Sequence, residues 1–126
     1  MTEILIIEDE ADIREILTFN LENAGYKVVA AGSAEDGLKL VGADTALILL
    51  DVMLPGMSGF QFAAQLRRNS GNRIPIIFLT ARSTENDVLT GFSAGGDDYI
   101  SKPFSVNEVL ARVKAVLRRS ASPSSG

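Results

Sequence analysis

Four short stretches place chemically capable side chains at the ends of apolar runs. Glu8-Asp9-Glu10 follows "ILII", Asp51 follows "ALILL", Thr80 closes "IIFLT", and Lys102 comes one residue after "DYIS". If the runs are neighbouring strands, these carboxylates, the hydroxyl and the ammonium meet at one edge. Carboxylates pressed together repel, and a divalent cation with hard oxygen ligands relieves the repulsion. Mg2+, with Mn2+ as a substitute, suits such a set. Mg2+ keeps several waters and usually takes one or two carboxylates together with phosphate oxygens, so the cation implies a phosphorylated species. Lys102 would supply charge to a phosphoryl group and Thr80 a hydrogen bond.

Taken singly, each stretch has a plainer reading. Acidic residues are favoured ahead of a helix N-terminus, an Asp before Pro55-Gly56 suits a turn, and a lysine before Pro103 is ordinarily solvated. Their joint placement carries the argument.

The chain has 126 residues, no histidine and no cysteine. Ser-His-Asp and Cys-His catalysis are thereby excluded, as are imidazole and thiolate metal sites. The 46% apolar and 22% charged residues are ordinary for one globular domain. A net charge of -4 gives no reason to expect nucleic acid or anionic lipid against this stretch. No apolar run approaches the roughly 20 residues needed to span a bilayer, and the acidic start "MTEILIIED" is unlike a signal peptide. A cytoplasmic location without membrane association is the expectation.

Two periods alternate along the chain. Strand-length apolar runs occupy 3–8, 27–31, 46–50, 75–80 and 97–101. Helical stripes lie between them, one of Ile13, Ile16, Leu17, Asn20, Leu21 and Ala24, another of Val106, Val109, Leu110, Val113 and Leu117. Ser33, Ser58 and Ser105 are candidate N-caps with Asp36, Gln61 and Glu108 three residues on. Ser83 would cap a helix to about Ala94, and Gly25 would end the first helix. Strand and helix alternating five times predict a parallel sheet with helices on both faces. Order 2-1-3-4-5 and order 3-2-1-4-5 both fit; in either, a site forms beyond the carboxyl ends of the strands. Residues 1–119 read as the domain, and the uncharged 120–126, "SASPSSG", as a flexible linker or a remnant of truncation.

With these residues in place, "Glu8-Asp9", "LILLDVMLPGMSG", "IIFLTA" and "DDYISKPFSVNEVLARV" resemble the receiver domain of bacterial two-component response regulators. The resemblance covers roughly residues 2 to 119. It implies a flavodoxin-like (CheY-like) doubly wound sheet of five parallel strands, order 2-1-3-4-5, with five helices. It implies that Asp51 is the phosphoacceptor, taking a phosphoryl group from a sensor histidine kinase. By the same match Glu8, Asp9, Asp51 and the main-chain oxygen of Met53 hold Mg2+. Thr80 resembles the switch hydroxyl, Tyr99 the switch aromatic, and Lys102 the lysine that pairs with the phosphoryl group, with a cis Lys102-Pro103 bond. A carboxylate is ionised at neutral pH without a general base, which suits covalent chemistry in a chain lacking histidine. Such a domain is not an enzyme with turnover; it catalyses its own phosphorylation and dephosphorylation.

The stretch from 87 to 119 is similar to the OmpR/PhoB type, transcription factors with a C-terminal winged helix that alone binds DNA. The resemblance implies a homodimer on phosphorylation through the fourth helix, fifth strand and last helix, with Asp98 facing Arg112 and Asp97 facing Arg119 across subunits. Two departures stand out: Val88 where a basic residue usually pairs with the glutamate matched by Glu108, and Gly96 where alanine is usual. A stand-alone receiver acting by protein contacts is the alternative. An aspartyl-phosphate phosphohydrolase is disfavoured, because Met53 stands where that chemistry needs an acidic proton donor. A nucleotide or flavin module is disfavoured by the absence of Gly-rich phosphate-binding motifs.

Overall fold

The computed structural model describes residues 1–70, 73–81 and 97–121. Its strands are β1 (Glu3–Ile7), β2 (Lys27–Ala31), β3 (Thr45–Asp51), β4 (Ile76–Thr80) and β5 (Asp98–Ser101). Its helices are α1 (Ala11–Asn23), α2 (Ala34–Leu40), α3 (Gly59–Ser70) and α4 (Val106–Ala121). The expected helix over 83–94, with Val88 and the Gly95-Gly96 pair, lies outside the described residues. All strand pairs are parallel and the order is β2-β1-β3-β4-β5, one of the two that periodicity left open. Among the described residues no helix is long and apolar enough to cross a membrane.

Every residue of β1 and β4 is buried, and all but one of β3, whereas the edge strand β2 is largely exposed or half-buried. That is why the inner strands read as unbroken apolar runs. Alternate residues feed different cores. Leu5, Ile7, Ile48, Leu50 and Phe78 pack with α2 and α3. Ile4, Ile6, Leu47, Leu49 and Leu79 pack with α1 and α4. Burying one Leu or Ile contributes about 1.5–3 kcal/mol, so both faces hold the three inner strands firmly.

The helix ends follow the hydroxyls. Ser58 and Gln61 form a reciprocal box, with Gln61 N–H donating to Ser58 Oγ (3.2 Å) and Ser58 N–H to Gln61 Oε1 (2.8 Å). Ser33 and Ser105 make only the forward bond, to the Asp36 and Glu108 amides. Gly25 follows α1 at φ +99. Two members of the α1 stripe depart from expectation: Leu17 and Leu21 are buried, but Ile16 is half exposed and Ala24, at the helix end, is exposed. Residues four apart (13, 17, 21) define the buried line, and Ile16 lies on its flank.

Candidate functional site

The site is built where the inner strands run out. β1 ends at Ile7, and the Glu8 N–H still donates to the Ala31 carbonyl (3.1 Å), so Glu8 is held as an extension of the sheet. Its side chain is fully buried. Glu8 Oε2 accepts from the Glu10 N–H (3.0 Å) and Oε1 from Lys102 Nζ (2.9 Å). Asp51 is the last residue of β3 and almost fully buried. Its Oδ1 accepts from the Met53 N–H (3.1 Å), and its Oδ2 lies 3.3 Å from Lys102 Nζ. Lys102 is fixed by its own main chain, whose N–H donates to the Thr80 carbonyl (2.7 Å), and its bond to Pro103 is cis. Asp9 is exposed, yet Glu8, Asp9 and Asp51 each offer a carboxylate oxygen, all within 4.8 Å of one another.

The structure thus brings Glu8, Asp9, Asp51 and Lys102 together. Thr80 ends β4, fully buried, and is in register with Ser101. Tyr99 is half-buried on β5, its ring 6.4 Å from that of Phe78. The Met53 side chain is exposed beside Asp51.

Charge is unevenly matched here. Burial pushes Glu8 up to about 7, against the lowering effect of the Glu10 amide and Lys102, and the nearby Asp51 charge adds to the rise. Lys102 goes the other way for an amine in a dry place: burial would lower it, but the Glu8 hydrogen bond and the Asp51 and Glu8 charges outweigh burial and hold it above its ordinary value. Among the described residues, one ammonium held protonated against three carboxyl groups, one of them driven towards protonation, leaves the cluster short of positive charge. A divalent cation with hard oxygen preference fits that deficit and that donor set.

Sequence reasoning missed Gly59. The first turn of α3 presses on the strand end: the Gly59 N–H donates to the Val52 carbonyl (3.0 Å), and a Cβ at 59 would collide with the Asp51 carbonyl oxygen and stand 2.9 Å from Val52 Cα. A glycine directly after a well-formed N-cap, in "MSG", was the available signal.

A second charged cluster lies at β5 and α4. Arg112 Nη1 donates to both Asp98 oxygens (3.0 and 3.1 Å), and its Nε to Glu108 Oε2 (3.2 Å). Asp97 Oδ2 accepts from the Ile76 N–H (2.9 Å) and lies 3.8 Å from Arg67. Arg119 donates to the Asp97 main-chain oxygen (3.5 Å), not to its carboxylate. Asp98 and Arg112 thus pair within the single chain, where the short link from β5 to α4 sets them side by side.

Residues 4–114 match the family described as the response regulator receiver domain. The chain belongs to it. This receiver domain is 49% identical over 118 residues to the phosphate regulon transcriptional regulatory protein PhoB of Escherichia coli, covering 92% of this chain and 52% of PhoB. It is 47% identical over 126 residues to the alkaline phosphatase synthesis transcriptional regulatory protein PhoP of Bacillus subtilis, covering 98% and 52%. The solved structure of DrrB, a Thermotoga maritima OmpR/PhoB homolog, superposes with a TM-score of 0.85 at 35% identity over 95% of this chain and 54% of DrrB. The receiver is thus of the OmpR/PhoB type, and the chain spans about half the length of the curated relatives it matches.

Proposed function

We propose that this receiver accepts a phosphoryl group on Asp51 from the phosphohistidine of a sensor kinase. The observation that carries the reading is the buried Asp51 carboxylate at the tip of β3, 3.3 Å from Lys102 and within 4.8 Å of the Glu8 and Asp9 oxygens. An Asp51 oxygen forms the new P–O bond as the P–N bond to the donor imidazole breaks, and the leaving imidazole keeps the electron pair. Glu8, Asp9, Asp51 and the Met53 main-chain oxygen would hold Mg2+, or Mn2+ in its place, which when bound neutralises charge on the phosphoryl oxygens. Lys102 is placed to pair with one of those oxygens. Thr80 donates its hydroxyl to another, and Tyr99 follows Thr80 inward.

The output we propose is homodimerisation through the segment 83–94, β5 and α4, with Asp97, Asp98, Arg112 and Arg119 on the shared face. It rests on the likeness to transcriptional regulators about twice this chain's length, in which a separate C-terminal winged-helix domain would bind DNA. On this reading the domain works in the cytoplasm, does not touch DNA or membrane itself, and is not an enzyme with turnover.

The test is intact mass after incubation with acetyl phosphate and Mg2+, beside Asp51→Ala and a metal-free control. One phosphoryl group on the wild type alone, and only with metal, is expected. Uptake by Asp51→Ala at the wild-type level would overturn the assignment.

A further inference from the structure

The peptide joining Glu8 to Asp9 has left the sheet, yet two of the proposed cation ligands depend on it. The Glu8 side chain is tied down by Lys102 and the Glu10 amide. The exposed Asp9 carboxylate makes no hydrogen bond or ion pair among the described residues. Its position is therefore set by its main chain alone. The Glu8 carbonyl, on that same peptide, accepts a hydrogen bond from Arg14 Nη1 at 2.7 Å. Arg14 lies in the first turn of α1 and is anchored by its own N–H to the Glu10 carbonyl (3.0 Å). Its guanidinium runs past the end of β2, where Gly32 stands: a Cβ there would come to 3.2 Å from Nη1. An alanine at 32 would press on the guanidinium that reaches the carbonyl and ask it to shift by a few tenths of an ångström.

We infer that Arg14 is a positioning residue: by bonding the Glu8 carbonyl it fixes the peptide that aims Asp9, and so raises the affinity of the site for its divalent cation. The inference rests on the reading of Glu8, Asp9 and Asp51 as the cation ligands. A purely electrostatic role gives the opposite sign, since a nearby guanidinium repels a cation and its removal should tighten binding. Groups that orient metal ligands are typically worth 10–100-fold in affinity.

The experiment is Mg2+ titration by calorimetry of the wild type, Arg14→Met, Arg14→Lys and Gly32→Ala. It is joined by 15N order parameters for the Asp9 and Glu10 amides in metal-free protein. Arg14→Met should bind Mg2+ roughly tenfold more weakly, with Arg14→Lys between it and wild type. Gly32→Ala keeps the charge but displaces the guanidinium, and should weaken binding by a smaller factor. The Asp9 order parameter should fall in the same ranking. In phosphoryl uptake from acetyl phosphate, the Mg2+ concentration for half-maximal rate should rise while the rate at saturating Mg2+ stays at the wild-type level. Unchanged or tighter binding by Arg14→Met overturns the inference, as does a fall in the saturating rate with melting temperature, which would make Arg14 merely structural. If the wild type itself binds no cation, the reading of the site fails instead, and the metal-free order parameters still decide whether Arg14 fixes Asp9.

Discussion

The two charged clusters of this receiver are built on opposite terms. At the strand tips, Glu8 and Asp51 are buried and share Lys102, and the charges do not balance. At β5 and α4, Arg112 is half-buried, and Asp98 and Glu108 give it two partners of its own. A buried, unbalanced cluster costs stability until something positive arrives, so its energy is held in reserve for a ligand. A satisfied pair at the partly exposed surface is worth about 1 kcal/mol or less and can be exchanged cheaply for the same pair across a subunit boundary. The difference separates the place where chemistry occurs from the place where its result could be passed on.

The hardest way to break the contrast is Lys102→Ala, which removes the ammonium that Glu8 and Asp51 share. Phosphoryl uptake from acetyl phosphate, followed by intact mass over time, should slow roughly 10²- to 10³-fold, as expected for losing a preorganised charge in a dry site. Next is Gly59→Ala. In most helices that change is stabilising, but here the added methyl meets the Asp51 main chain. Urea unfolding should show a loss of about 1–3 kcal/mol, and uptake should slow because Asp51 is moved.

Acidity sharpens the same comparison. Glu8 stands near 7 in the folded protein against an ordinary 4.5. Between these values the folded chain holds a proton that the unfolded chain has released. Metal-free stability should therefore be complete below about 4.5 and decline as pH rises through 7, by at most about 3 kcal/mol. Saturating Mg2+ should abolish the decline, since the bound cation needs Glu8 ionised; chemical denaturation at pH 5 and pH 8, with and without metal, measures both. The smallest effect belongs to the cluster at β5 and α4. Arg112→Ala should cost under about 1 kcal/mol in the monomer, yet weaken self-association of the phosphorylated form in analytical ultracentrifugation.

Much of this was legible in the residues. "ILII", "ALILL" and "IIFLT" announce strands buried on both faces, and once those are parallel neighbours Asp51 and the acidic run must share an edge. Strand order was not legible from periodicity, because a repeat of apolar residues says which face is buried but not which strand is adjacent; the family likeness supplied the order. The contacts of Gly59 and Arg14 were illegible for a related reason: each depends on two segments approaching in space, at a position where the sequence shows only a glycine or an ordinary helix arginine. Asp98 was legible as a partner of Arg112, but not their pairing within one chain, because complementary charges do not say whether they meet within one chain or between two.

The alternation of inner-strand residues between two cores has a consequence for how such a domain diverges. Leu5 and Ile4 are chain neighbours, but they belong to different packing volumes, one shared with α2 and α3 and the other with α1 and α4. A change of side-chain volume at Ile48 falls on the core that holds Phe62 and Leu66, and one at Leu47 on the core that holds Leu21 and Val113. In a set of homologous receivers, covariation should therefore group alternate positions of the inner strands into two blocks, 5 and 7 with 48, 50, 76 and 78, and 4 and 6 with 47, 49, 77 and 79. Each side of the sheet is then free to acquire new partners without the other having to repack.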